Sequence, residues 1–181
     1  GKNWGYNRFD TTYKSTSELI RHFVDIVSKG GNLLLNVGPT GKGAFPLQSD
    51  SIFDGFHNWL SVYGEAVYGT FPWRTFGEEL SASSGEKLNG NFNDAEYDGT
   101  PKLRNPDLRF TCKDGNLYII ARDVKAGKYL VKSILRTDRV KSVDLLGHGH
   151  IKWKQTDGGL EINLGKTGIP APVYALRVTF K

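Results

Sequence analysis

The chain has 181 residues, 38 % of them hydrophobic, 12 % aromatic and 24 % charged, so the low-hydrophobicity, high-charge signature of disorder is absent and a packed fold of one large or two small units is expected. No stretch approaches the ~18 consecutive apolar residues of a membrane-spanning helix, and a single cysteine, Cys112, excludes an internal disulfide framework or a multi-cysteine metal site. The net charge of +5 lies entirely beyond Trp73, since residues 1–73 hold 6 basic and 6 acidic side chains and residues 74–181 hold 18 and 13; the cations are interspersed with acids, as on a solvated surface rather than a nucleic-acid face.

In chain order, Trp4-Gly5-Tyr6-Asn7 reads as the end of a strand, with two aromatics flanking a glycine. Ser15-Thr16-Ser17-Glu18 forms a capping-box pattern. It opens a helix in which Leu19, Ile20, Phe23, Val24 and Val27 recur at helical spacing, and Gly30-Gly31 ends it. Asn32 to Gly38 is a short, nearly continuous apolar run, which predicts a parallel strand covered on both faces. Ile52, Phe53, Phe56, Trp59, Leu60 and Tyr63 predict a second amphipathic helix ended by Gly64. Alternating strands and helices imply a parallel sheet, yet so few units close neither a doubly wound sheet nor a barrel.

After Phe71-Pro72-Trp73, where a boundary between two units is expected, the period changes from helical to alternating. A surface loop is expected over Leu80–Pro106. Leu108–Cys112 and Leu117–Ile120 flank Asp114-Gly115, a hairpin signature. Further strands are predicted over Tyr129–Leu135, Val140–Leu146, Ile151–Gln155, Leu160–Leu164 and Val173–Phe180, separated by Gly-rich turns, which argues an antiparallel β-sandwich.

Several chemistries lack their residues. The Gly38–Gly43 loop fails as a phosphate loop, because Asn36 stands where the first glycine is required and Gly43 where a hydroxyl should follow the lysine. His148-Gly149-His150 has turn composition and no acidic or cysteine partner at metal-ligand spacing. No Gly-x-Ser-x-Gly elbow occurs, and Cys112 has no nearby histidine in sequence. Carboxylate catalysis needs two acids a defined distance apart. Asp25, Asp50 and Asp54 are expected on solvent-facing helix positions, Glu18 as a cap, and Asp10 and Glu65 in connecting segments, so no convincing catalytic pair stands out. Trp4 and Tyr6 could cover the apolar side of a sugar ring while Asn7 bonds its hydroxyls, or could equally be core residues of a strand end.

Trp4-Gly5-Tyr6-Asn7, the run Val24–Pro39 and Tyr63–Thr70 resemble, in order and spacing, the closing part of family 29 glycoside hydrolases, the retaining α-L-fucosidases. The likeness continues more weakly through Asp107–Lys113, Leu145-Leu146-Gly147, Trp153-Lys154-Gln155 and Gly159–Ile162. The resemblance implies an α/β plus all-β chain: residues 1–73 supply the last two strand–helix units of a (β/α)8-like catalytic barrel, and residues 74–181 an antiparallel β-sandwich. It implies hydrolysis of terminal α-L-fucosyl linkages by an Asp nucleophile and a Glu acid/base, both of which precede the Trp-Gly-Tyr motif in the family. No catalytic residue is therefore expected in this chain, which should be inactive alone. Substrate-binding expectations fall on Trp4, against the fucose C6 methyl group, with Tyr6 and Asn7 in support. No metal or cofactor is implied. The partners implied are a fucosylated oligosaccharide or glycoconjugate and the N-terminal barrel segment of the same enzyme, with no nucleic acid or membrane; the compartment implied is secreted, periplasmic or lysosome-like. The methionine-free sequence beginning at Gly1 is then expected to start at an interior position of a longer enzyme. The alternatives are a non-catalytic carbohydrate-binding β-sandwich module with Trp153 and Tyr129 as an exposed platform and, more remotely, a basic nucleic-acid-binding domain.

Overall fold

The computed structural model describes residues 3–80, 107–165 and 172–181, and most of the loop expected over Leu80–Pro106 lies outside these residues. The described chain is mostly antiparallel β-sheet with two α-helices.

Helix α1 spans Thr16–Ser28, with Ser15 as its N-cap. The Ser15 hydroxyl accepts from the Glu18 amide at 3.2 Å, but the expected reciprocal half of the box is missing, because Glu18 Oε1 is buried without a hydrogen-bond partner. At the other end Gly30 adopts φ +79°, its N–H donates to Val27 O and that of Gly31 to Ile26 O, both at 2.9 Å. These two bonds satisfy carbonyls the last turn would otherwise leave open, and only glycine takes the left-handed position cheaply. Helix α2 spans Leu47–Tyr63, starting five residues before the first apolar position that marked it in sequence. Gly64 does not stop it in a left-handed cap but leads into a 3-10 turn, Gly64–Ala66.

The run 32–38 is not a strand, contrary to the sequence expectation. Its side chains alternate, Leu33, Leu35 and Val37 half-buried against exposed Leu34 and Asn36, yet no strand ladder among the described residues includes it. Alternation prepares a segment for pairing, but a strand exists only through the backbone bonds of a neighbour.

Among the described residues, nine strands form two sheets. β1 (Phe71–Glu79), β2 (Asp107–Lys113), β3 (Asn116–Arg122), β5 (Val140–Leu145), β6 (Gly149–His150) and β9 (Val173–Phe180) make a six-stranded sheet in the order β1-β2-β3-β9-β5-β6. β4 (Lys128–Val131), β7 (Lys152–Thr156) and β8 (Gly159–Asn163) make a three-stranded sheet ordered β4-β8-β7. The Asp114-Gly115 turn between β2 and β3 places both residues at positive φ, +50° and +73°, the geometry whose twist matches the flanking strands. β1 begins at Phe71, which pairs with Cys112, so the segment expected as a boundary is the start of an edge strand. Its register shifts between Pro72 and Gly77, in keeping with the confinement of proline to edges and bulges.

β3 is buried from Leu117 to Arg122, on both faces. One continuous apolar core explains this: Ile20 and Val24 of α1 and Trp59 and Tyr63 of α2 join Leu108, Phe110, Ile119, Ile120, Leu160 and Ile162. Polar side chains on the helix-facing side of the sheet are tied down individually. Thr111 Oγ1 donates to Ala66 O at 2.6 Å, and the Tyr118 hydroxyl to Glu65 Oε1 at 2.8 Å. Burial first, and then the Glu65 bond, push the Tyr118 phenol from 10.0 up to about 12. The fold thus favours the neutral phenol, so this contribution to stability is complete below pH 10 and is lost as pH rises through about 12. Ultraviolet titration of phenolate should show Tyr118 ionising late, together with unfolding; Tyr118→Phe should weaken the alkaline destabilisation, and an unchanged alkaline profile would contradict the assignment.

Candidate functional site

The loop from Asn3 to Thr12 is built by side-chain-to-backbone bonds rather than by strand pairing. Asn7 Oδ1 accepts from the Phe9 amide at 3.0 Å, and the Asp10 amide donates to Asn7 O at 3.0 Å. Asp10 Oδ1 accepts from the Thr12 amide at 2.8 Å and its hydroxyl at 2.5 Å, while Asn3 Nδ2 approaches Oδ2 at 3.4 Å. The Thr12 hydroxyl and amide, ahead of any other influence, hold the Asp10 carboxyl well below the usual carboxylate range. Asp10 is accordingly a fixed anion that shapes a turn, as Asx side chains do.

These turns leave Trp4 and Tyr6 at a cavity of about 480 Å³, which Asn7, Asp10, Asn36 and Phe53 also line. Trp4 is 77 % exposed and Tyr6 45 %, so neither is a core residue. Asn7 is half-buried and spends its Oδ1 on the loop. The loop rests on the segment 32–38: Asn36 Nδ2 donates to Trp4 O at 2.6 Å across 32 positions of sequence. Sequence reasoning missed this contact, although a polar residue inside the run Leu33–Val37 was a visible signal.

Of the remaining acids, two differ from expectation. Asp25 is not solvent-facing. Although burial works to raise it, the bonds from Lys29 Nζ at 2.7 Å and Arg109 Nε at 2.6 Å hold its carboxyl below the ordinary value. Glu18 is half-buried and makes only the backbone part of the cap. Glu65 bonds Tyr118 and, at 3.1 Å, Arg177. Asp50 and Asp54 are exposed. Nor are Trp153 and Tyr129 an exposed platform: both pack half-buried against the core, and the Tyr129 hydroxyl is enclosed. His148 and His150 are exposed, with His150 Nδ1 at 3.4 Å from Asp144, and among the described residues no three metal-ligating side chains gather.

The α-L-fucosidase family model matches residues 1–65, the loop, both helices and the segment between them. The sequence is 28 % identical over 174 residues to the plasma α-L-fucosidase of Rattus norvegicus, covering 92 % of this chain and 33 % of that protein. It is 30 % identical over 160 residues to the human plasma enzyme, covering 83 % and 28 %. The fold superimposes on the crystal structure of Thermotoga maritima α-fucosidase in complex with fucose with a TM-score of 0.75 at 26 % identity, over 97 % of this chain and 37 % of that one. Over these regions the chain is similar to α-L-fucosidases. It corresponds to their C-terminal portion and spans about a third of the length of these relatives. Measured against these fucosidases, the matched region contains the whole candidate site, from the Trp4 loop to Gly38 and α2.

Proposed function

We propose that this chain is the C-terminal portion of a retaining α-L-fucosidase that removes terminal α-L-fucosyl groups from oligosaccharides or glycoconjugates, and that it supplies part of the sugar pocket but not the reacting carboxylates. The observation that carries the reading is the Trp4 loop: an exposed indole held at the rim of a cavity by the fucosidase-matched segment 32–38. An indole face there suits the apolar edge of a deoxy sugar, the C6 methyl group, with Tyr6 and Asn7 supporting the loop. None of the acids near the cavity forms the pair that double displacement requires, since Asp10 is a turn-forming anion. The nucleophilic Asp and the acid/base Glu come, on this reading, from an N-terminal barrel segment.

The same reading assigns residues 1–73 to the last two units of a (β/α)8-like barrel and residues 74–181 to a β-sandwich, and places the enzyme in a secreted, periplasmic or lysosome-like compartment. It gives the surface around 32–38 a purpose. Leu34 is 94 % exposed and Phe45, Leu47 and Phe53 are exposed nearby in sequence, an apolar area that barrel strands would cover. Barrel strands would also supply the ladder that 32–38 is patterned to join. The test is turnover of an aryl α-L-fucoside. The purified 181-residue polypeptide should show none, and co-expression with a fucosidase N-terminal barrel segment should produce it; turnover by the polypeptide alone would overturn the division of labour.

A further inference from the structure

We infer that Asn36 and Gly38 are positioning residues for the sugar pocket, acting through Trp4 and setting how well the enzyme discriminates for the methyl group of its substrate. The inference rests on the reading of function above and adds residues that do not themselves touch substrate. Two independent features of the segment 32–38 converge on the Trp4 loop. Asn36 Nδ2 donates to the Trp4 carbonyl at 2.6 Å. Two residues on, Gly38 lets the chains approach so closely that a β-carbon there would lie 2.5 Å from the Gly5 carbonyl carbon and closer still to the Tyr6 nitrogen. Gly38 is not at positive φ, so the glycine serves the close approach and not an unusual backbone conformation. A β-carbon added at Gly5 would meet nothing within 4 Å, so the crowding between the two segments lies on the Gly38 side. The bond at Asn36 and the contact at Gly38 therefore bracket Trp4-Gly5-Tyr6 from one side and constrain the backbone from which the indole projects.

An aromatic ring selects for a methyl group only if its position is settled before the sugar arrives; otherwise part of the contact energy is spent ordering the loop. Losing the Asn36 bond should therefore weaken ground-state binding and transition-state binding alike, a KM effect, without removing a group that acts on the reacting bonds. The Asn36 side chain is exposed, so its replacement should not unfold the protein.

The experiment uses the complete enzyme, with the aryl α-L-fucoside and the matching aryl pentopyranoside that differs only in lacking the C6 methyl group. Asn36→Asp keeps the shape and loses the donor. It should raise KM for the fucoside roughly fivefold to tenfold, the scale of one lost hydrogen bond, with kcat within about twofold and the melting temperature unchanged. KM for the pentopyranoside should stay within about twofold, because the contact being positioned is absent. In a Trp4→Ala background the Asn36→Asp effect should disappear, the signature of two residues acting as one. Gly38→Ala should reproduce the KM effect more strongly. Asn32→Asp, an exposed position on the same segment, should change nothing. If Trp4→Ala raises KM for the fucoside while Asn36→Asp does not, or if Asn36→Asp affects both substrates equally, the positioning role is overturned and the reading of function stands. Absence of fucosidase activity in the complete wild-type enzyme overturns that reading and this inference with it.

Discussion

Asp107→Ala should destabilise the protein by about 3–5 kcal/mol, the penalty for leaving one partner of a buried ion pair alone. Arg122 on β3 is 2 % exposed and holds Asp107 on β2 through both carboxylate oxygens. The pair belongs to a network. Arg109 lies 2.9 Å from Asp107 and 2.6 Å from Asp25 of α1, and Arg122 reaches Asp25 at 3.8 Å and Arg21 O at 3.2 Å. Removing the Asp107 carboxylate leaves two half- or fully buried guanidiniums sharing Asp25. Asp25 is already bonded to Lys29, so it cannot replace the lost bidentate geometry. The loss would be at least about a fifth of the ~5–15 kcal/mol that holds a typical domain together, visible as a lowered urea midpoint. The comparison that gives the number meaning is Arg136, paired at 2.5 Å with Asp157 where both side chains are more than three-quarters exposed. Arg136→Ala should cost less than about 1 kcal/mol, because an exposed pair gains little over hydration. Equal midpoints for Asp107→Ala and Arg136→Ala would refute the buried-network account.

Local signals in the sequence held where the structure is local. Ser15 and Gly30-Gly31 delimit α1 through bonds spanning three to five residues, and Asp114-Gly115 turns β2 into β3. What the sequence obscured depends on distant partners. β1 contains Pro72 and Gly77, both strand-weakening signals, and forms because β2 stands beside it. β4 was expected to run to Leu135 but ends at Val131, where the Glu78 carboxylate of β1 accepts from the amides of Lys132 at 2.8 Å and Ser133 at 2.7 Å. Asp25 reads as a solvent-facing helix position until Arg109 arrives from a strand 84 positions away. The candidate site divides in the same way. Trp4 and Tyr6 were legible as unusual aromatics around a glycine, whereas Asn36 acquires its role only once the chain folds back across 32 residues.

Trp59→Ala should cost about 3–5 kcal/mol, as for other large core aromatics cut to alanine, and its effect on cooperativity should be as informative as its size. Trp59 of α2 is 6 % exposed, meets Phe23 of α1 edge-on with centroids 6.5 Å apart, and lies 5.5 Å from the Tyr63 ring. Its Nε1 donates to the Val173 carbonyl of β9 at 2.8 Å, a buried bond between a helix and the middle of the six-stranded sheet. Trp59→Phe keeps much of the packing but leaves the buried Val173 carbonyl without that donor, so it should still cost about 1–3 kcal/mol. The proposed division at residues 73 and 74 makes a sharper question of this residue. The Asp107 network and Trp59 join the helices to the same sheet at separate points, and Ile20, Val24, Trp59 and Tyr63 share one apolar core with the strands. Two units fastened this way should unfold as one, despite the change of sequence period between them. In the Trp59→Ala variant, helix loss followed by circular dichroism at 222 nm and exposure of the remaining indoles followed by fluorescence should shift to lower urea together. Separate transitions, with the strands outlasting the helices by several tenths of a molar in urea, would show that residues 1–73 and 74–181 are independently stable and that the shared core contributes little to holding them together.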